Sequence, residues 1–439
     1  MMKKVIQTLF TLLLSTTVSF ASPNLGEEEK DQSHTHFISY DDFAFAEEEW
    51  NTEQLQELIL SDIHSYLEVE NVELVASKLS RFSNLQKLGF SRQGMTEITE
   101  KTIETLTSAI QNLTHLHTLE LWFMGISGDM AFLRTLPSTL THLDLNGNDL
   151  KCEGAQALAL NIPSKLQTLI LENASIPEEG LRNLITALPH SLEELNLLGN
   201  FFDKSMVDAL TRLTNLRVLK LNYNSQDGSA NILASGITSL SQLEKLTLLL
   251  TDSRGILNVI QALPHGVQEL ILSSGLPAVN DEETQVLIEE LPQNLQLLGL
   301  GGCEIGDKSI PALITYISNN QAFENLVLQS GSKIDDRSMQ ALLLGVSAGI
   351  SHLKSLNILG FLDFQKIEKP FSILKSNTTL EHLNLPFLSF QEGANEDISS
   401  WLEVTPSLQK LLVKGNLTEN NQKQLQNNKT RARTLRSYA

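Results

Sequence analysis

Cysteine is almost absent: Cys152 and Cys303 are the only two in 439 residues. A chain so poor in cysteine is not a disulfide scaffold. Aromatic residues make up only 6% of the chain, so aliphatic side chains must fill any core. Basic residues are scarce too, 32 Lys and Arg against 52 Asp and Glu, for a net charge of −20. Such a chain repels phosphate backbones, which excludes nucleic acid as a partner and favours a basic protein. No Gly-rich phosphate loop with a lysine occurs; Gly299, Gly301 and Gly302 read as close backbone packing on and after a strand. The ten histidines are scattered, and none stands with a cysteine or an acid as a nucleophile pair. His34 and His36 have no third metal ligand nearby. These absences exclude an enzyme, a cofactor and a metal site from the expected reading.

Long apolar runs are missing except at the N-terminus. Lys3 and Lys4 precede the uncharged apolar residues 5–20, and Ser19 and Ala21 are small. This is the pattern of a secretory signal peptide over residues 1–21, cleaved after Ala21. The apolar run is short for a membrane span of about 20 residues, so no span is expected once the leader is gone. An exported chain without disulfides suits a bacterial envelope or secretion route, giving a periplasmic or extracellular location.

What the chain does have is leucine on a beat. The pattern L-x-x-L-x-L, with Ile, Val or Phe as substitutes, starts at Leu85, Leu116, Leu140, Leu166, Leu192, Leu216, Leu243, Val267, Leu295, Phe323, Leu353, Leu380 and Leu408. The spacing averages about 27 residues, the period of a leucine-rich repeat solenoid. Within each unit the leucine pattern alternates with period two and predicts a strand, and the remainder has helical spacing. Residues 177–188 place Leu181, Leu184, Ile185 and Leu188 on one helix face, and residues 203–213 do the same with Met206, Leu210 and Leu213. Short linkers force successive strands parallel. The expected fold is α/β, a horseshoe with parallel strands on its concave face and helices on its convex face. Cys152 and Cys303 then lie six repeats apart, at least ~29 Å, and cannot bridge.

The chain divides around these repeats. Residues 22–50 are acidic and expected to be disordered. Residues 51–84 form an N-terminal cap or degenerate first repeat, with a helix over 71–82 that turns Val72, Val75, Leu79 and Phe82 inward. Residues 85–418 carry about thirteen repeats, and residues 419–439 form a polar basic tail.

Residues 140–160 (LTHLDLNGNDLKCEGAQALAL), 192–210 (LEELNLLGNFFDKSMVDAL) and 175–188 (SIPEEGLRNLITAL) resemble ribonuclease-inhibitor-type leucine-rich repeats. That family's repeats bind proteins on the concave face, so the resemblance implies a protein partner. The ninth-position Asn of that pattern is present at Asn148, Asn200, Asn224 and Asn416, and Cys303 takes the same place in its own repeat. Met124, Ala174, Thr251, Gly275, Gly331, Phe361 and Leu388 replace it elsewhere. The Leu-Pro pairs ending at Pro137, Pro189, Pro264 and Pro292, with Ile162-Pro163, resemble repeats of secreted bacterial proteins whose ubiquitin-ligase tails have no counterpart here.

Strand alternation selects the residues that face the inside of the curve. Glu120, Asp144, Glu172 and Glu194 form an acidic stripe, with Trp122 and Phe123 beside it and Lys220, Tyr223 and Lys245 following. Leu198, Leu249, Leu250, Ile271 and Leu297 give an apolar middle, and Phe387, Lys410 and Lys414 lie near the end. Aromatic side chains beside charge have the chemistry of a binding hot spot. The expected function is protein binding by a monomer through this face, as a secreted effector or an envelope-associated protein. The alternatives are a polysaccharide or surface adhesin, and an F-box-type substrate receptor whose helices in 55–82 recruit ubiquitin machinery.

Overall fold

The computed structural model of the protein describes residues 35–39, 55–62, 69–92, 100–128, 131–200, 202–223, 229–250, 254–274, 279–329, 333–347, 350, 352–359, 370–385, 394–413 and 417–437. The leader and the ninth-position residues Asn224 and Asn416 lie outside these. So do Phe387, Lys414 and most of 22–50. No helix among the described residues is long and apolar enough to cross a membrane. The chain forms two compact units, residues 19–222 with 235–243 and residues 223–234 with 244–439.

In the N-terminal unit the strands are β1 (Thr35–Ser39), β2 (Glu57–Asp62), β3 (Lys87–Arg92), β4 (Thr118–Trp122), β5 (His142–Asp144), β6 (Thr168–Ile170), β7 (Glu194–Asn196) and β8 (Val218–Tyr223). Each pairs in parallel with the next. The register puts the central leucines in one file: Leu58, Leu88, Leu119, Leu143, Leu169, Leu195 and Leu219. Every one of them is fully buried. Burying such a side chain contributes about 1.5–3 kcal/mol, and truncating one to Ala costs about 2–5 kcal/mol. The file is the spine that the leucine spacing predicts.

The C-terminal unit repeats the plan with β9 (Lys245–Leu250), β10 (Glu269–Ser273), β11 (Leu297–Leu300), β12 (Glu304–Ile305), β13 (Asn325–Leu328), β14 (Lys333–Ile334), β15 (Ser355–Ile358), β16 (His382–Leu385) and β17 (Lys410–Val413). Leu246, Leu270, Leu298, Leu326, Leu356, Leu383 and Leu411 form its file. β12 and β14 pair separately beyond the main strands. Parallel strands in sequence order, alternating with helices along most of the chain, make both units α/β leucine-rich repeat solenoids.

Local chemistry explains the turns into the strands. The backbone N–H of Leu140, Leu166, Leu192 and Val267 donates to the carbonyl of Pro137, Pro163, Pro189 and Pro264 respectively, three residues upstream. Where Pro is replaced by Asn, the side chain joins in: Asn377 Oδ1 accepts from the N–H of Thr379 and of Leu380. The helix Glu178–Ala187 starts just after Pro177 and buries Leu181, Leu184 and Ile185, as its spacing predicts. Residues 203–213 bury Met206, Leu210 and Leu213 as expected, but only as a 3-10 turn (Lys204–Met206) and a single α turn (Val207–Leu210). The predicted packing of the glycines is present: a Cβ on Gly299 would meet Ile271 Cγ2 at 3.1 Å, and Gly302 has φ +72°. Both cysteines are free. Cys303 is fully buried in its turn, and burial pushes its thiol up to about 12.

The ends of the chain add to this plan. Thr35–Ser39, inside the segment expected to be disordered, is a strand because β2 offers it an unpaired edge. Residues 57–62 are a strand, as a degenerate first repeat would have, and the helix described in the 55–82 stretch is Val69–Leu79, with Val75, Leu79 and Phe82 buried. Finally, the polar tail is the helix Glu419–Ser437. It buries Asn421, Leu425 and Asn428. Asn428 Nδ2 donates to the carbonyls of Thr405 and Leu408, at the last repeat's entry turn.

Candidate functional site

The strand face of the N-terminal unit carries most of the candidate residues, and register decides how they meet. Gly89, Glu120, Asp144, Ile170, Asn196 and Lys220 lie in one row. Two residues upstream runs the parallel row Lys87, Thr118, His142, Thr168, Glu194 and Val218. The structure thus brings Glu120 and Asp144 side by side, and Glu172 raises the pKa of Asp144 through space.

The acidic stripe is sunk rather than open. Glu120, Asp144 and Glu172 expose 7%, 7% and 8% of their surface. Alternation gives the face a side chain lies on, not the depth at which its neighbours cover it. Glu120 Oε1 sits 2.9 Å from Lys87 Nζ and 3.9 Å from His142 Nε2. Its Oε2 is buried with no hydrogen-bond partner, against the bare backbone of Gly89, where a Cβ would stand 3.3 Å away. Asp144 accepts the indole N–H of Trp122 at 2.7 Å and the N–H of Asn146 at 2.9 Å. Glu172 accepts from Asn196 Nδ2 at 2.9 Å.

Burial shapes the titration of this cluster. It is the main cause that pushes Asp144 up to about 6, with the negative charges of Glu120 and Glu172 adding to it. The donated bonds from Asn146 and Trp122 act the other way and are outweighed. Burial also lowers the pKa of His142; Glu194 opposes that and Lys87 adds to it.

Trp122 is half-buried over this cluster, while Phe123 is 50% exposed. Phe123 has φ +55°, in the left-handed region, and its N–H donates to the Asn146 carbonyl at 2.9 Å. Its ring lies on the backbone of Gly147, where a Cβ would come within 2.3 Å of it. The same repeat position is left-handed in the next three repeats, at Gly147 (φ +71°), Asn173 (φ +53°) and Gly199 (φ +75°). Glycine and asparagine tolerate this conformation; for a bulky aromatic it costs about 1–2 kcal/mol. Phe123 alone breaks the pattern.

The remaining candidates are placed as follows. Glu194 and Lys220 are half-buried, 3.9 Å apart at Oε1 and Nζ. Tyr223 ends β8, and its side chain lies outside the described residues. Lys245 belongs to the C-terminal unit, where it pairs with Glu269 at 2.8 Å. In the expected apolar middle, Leu249, Ile271 and Leu297 are half-buried, but Leu198 and Leu250 are buried at 9% and 4%. Leu250 closes β9 with its side chain in the core, which corrects its assignment to the open face. Lys87 and His142 complete the charge cluster, and Gly89 makes room for it. Lys87 occupies the same strand position as His142 and Glu194, a signal present in the pattern. No group of three or more His, Cys, Asp or Glu among the described residues is arranged to hold a metal ion.

No protein-family model matches the chain, and no curated protein sequence matches it. Among solved structures it is similar to one titled "Crystal structure of TLR13-ssRNA13 complex". The two are 19% identical, over 86% of this chain and 46% of that one, with a TM-score of 0.33. The chain therefore spans less than half the length of that protein. With its buried leucine files and alternating strands and helices, the chain has the leucine-rich repeat fold.

Proposed function

We propose that this is an exported, non-enzymatic protein that binds another protein through the strand face of its N-terminal unit. Trp122 and Phe123 are the apolar anchors, with Glu120, Asp144, Glu172, Glu194 and Lys220 around them. One observation carries the reading: a half-exposed phenylalanine in a left-handed backbone, at a position that Gly147, Asn173 and Gly199 fill in the following repeats. Its conformation is unfavourable and its ring meets water, so the fold gains little from it; contact with a partner gives it a role. Eight strands at ~4.8 Å spacing span ~34 Å, room for a standard interface of ~800 Å² per partner.

A photo-crosslinking phenylalanine analogue at position 123 of the full chain tests the site, with Leu160 as control. Leu160 is 77% exposed on the helix Lys151–Asn161, away from the strands. Partner capture at 123 and not at 160 supports the reading. Equal capture at both, or capture only at 160, overturns it. Export is tested by mass spectrometry of the N-terminus, which is expected to begin after Ala21; an intact leader removes that part.

A further inference from the structure

We infer that the partner engages this face with a basic side chain, its cation among the carboxylates of Glu120, Asp144 and Glu172 and its flank on Trp122 and Phe123. This rests on the protein-binding reading and names the chemistry of what binds.

The cluster holds more negative charge than it neutralises. Glu120 receives one cation, Lys87. Asp144 and Glu172 are met by neutral donors: an indole, a backbone N–H and the Asn196 amide. His142 lies within 3.9 Å of Glu120, and burial disfavours its cationic form. Independently, Glu120 Oε2 is buried without a partner, on a side chain only 9% exposed. A buried acceptor left without a donor is unfavourable, and here it is a carboxyl oxygen. The terminal torsion of a glutamate is soft, so the carboxylate can turn to present both oxygens to an incoming donor.

Aromatic surface beside such carboxylates suits guanidinium best. It forks across carboxylate oxygens and lies flat on rings. A saccharide needs donors as well as acceptors, and the polar atoms gathered here are chiefly acceptors. The net charge of −20 draws basic partners toward the chain as a whole.

The test is a titration of the full chain with N-acetyl-arginine amide, read at the indole N–H signals in NMR. There are three tryptophans, and Trp122→Phe assigns the relevant signal. A saturable shift of the Trp122 signal is expected, with none from N-acetyl-glutamine amide or maltotriose. Glu120→Gln is expected to weaken the arginine amide about tenfold or more. Lys87→Met, which removes the competing cation, is expected to tighten it. The opposite directions of these variants separate recognition from misfolding. The inference is overturned by a shift that does not saturate, by unchanged affinity in Glu120→Gln, or by saturation with maltotriose instead. Crosslinking at 123 without arginine binding overturns this inference and leaves the protein-binding reading standing; loss of both removes both.

Discussion

The indole N–H of Trp122 donates to Oδ2 of Asp144 at 2.7 Å. The bond joins a half-buried aromatic on β4 to a buried carboxylate on β5, whose pKa stands at about 6. Trp122 is thus both part of the presented surface and a support for the charge beneath it. Trp122→Phe keeps the aromatic surface and removes the donor. The expected cost is about 1.5–3 kcal/mol at neutral pH, where Asp144 is ionised, and less at pH 5. Urea denaturation at the two pH values measures it; a cost independent of pH shows that the bond does not serve the charged form.

Asp144 itself makes a prediction about pH. Its folded pKa lies above the ordinary value near 4, so folding takes up a proton between about pH 4 and 6. Its contribution to stability is therefore most favourable below about pH 4 and is lost as pH rises through 6. A shift of about two units corresponds to about 3 kcal/mol. His142 works in the opposite sense: its lowered pKa gives stability present above about 6.5 and lost as pH falls. Asp144→Asn removes the first effect and leaves the second. The stability of the wild-type chain relative to this variant is expected to fall by about 3 kcal/mol from pH 4 to pH 7. A flat difference across that range rejects the buried, charge-crowded state of Asp144.

Phe123 separates stability from binding. Phe123→Asn places at this position the residue type that Asn173 shows in the same conformation. Relief of the left-handed cost offsets the lost contact with Gly147, so stability is expected to hold or rise by up to about 1 kcal/mol. Partner binding is expected to be lost. Thermal melting and crosslinking from a reporter at position 122 read the two effects. A loss of stability beyond about 1 kcal/mol shows instead that the ring is held for the fold.

How far the sequence reached is visible in such residues. The leucine files, the parallel order and the helix faces were legible because burial imposes periods of 2 and 3.6 on the chain. Phe123 was legible as an aromatic on the strand face but not as a left-handed one. Its partners in the pattern, Gly147, Asn173 and Gly199, carried that signal in the same repeat position. The depth of Glu120, Asp144 and Glu172 was not legible, because it depends on what Lys87, Trp122 and Asn196 lay over them. β1 was missed because the acidic residues on either side of Thr35–Ser39 dominate the composition of 22–50 and hide its five-residue strand. The turn asparagines Asn320 and Asn377 were missed as well, although each precedes a repeat's first apolar residue by three.

The ninth-position asparagines Asn148 and Asn200 satisfy backbone groups of their turns. Asn148 Oδ1 accepts from Ile126 N at 3.1 Å, and its Nδ2 donates to the carbonyls of Leu121 and Leu145 at 2.8 Å. Asn200 repeats this with Ile176, Leu171 and Leu197. Each therefore ties its own turn to the preceding repeat. Asn148→Ala and Asn200→Ala are each expected to cost about 2 kcal/mol or more by stranding buried backbone groups. Two strand steps, ~10 Å, separate them, so the double variant is expected to add within about 0.5 kcal/mol. Strong coupling in denaturation experiments contradicts independent repeat-to-repeat ties.

Asp281 performs a related task on the helix side of the C-terminal unit. It opens the helix Asp281–Glu289, yet its carboxylate accepts from Gly306 N, Lys308 N, Ser309 N and Ser309 Oγ at 2.5–3.1 Å. It so serves the start of the next repeat's helix, Ser309–Asn319, whose first N–H groups have no partners within that helix. Burial pushes its pKa up, but those donated bonds outweigh it and hold the carboxyl below its ordinary value. The sign is opposite to that of Asp144: stability from Asp281 is present above about pH 4 and lost as pH falls further. Asp281→Ala is expected to cost about 1–2 kcal/mol at pH 7 and clearly less at pH 3. The helix Ser309–Asn319 is also expected to show faster amide exchange at its N-terminus in the variant. Equal costs at both pH values indicate that the carboxylate charge plays no part in joining the two repeats.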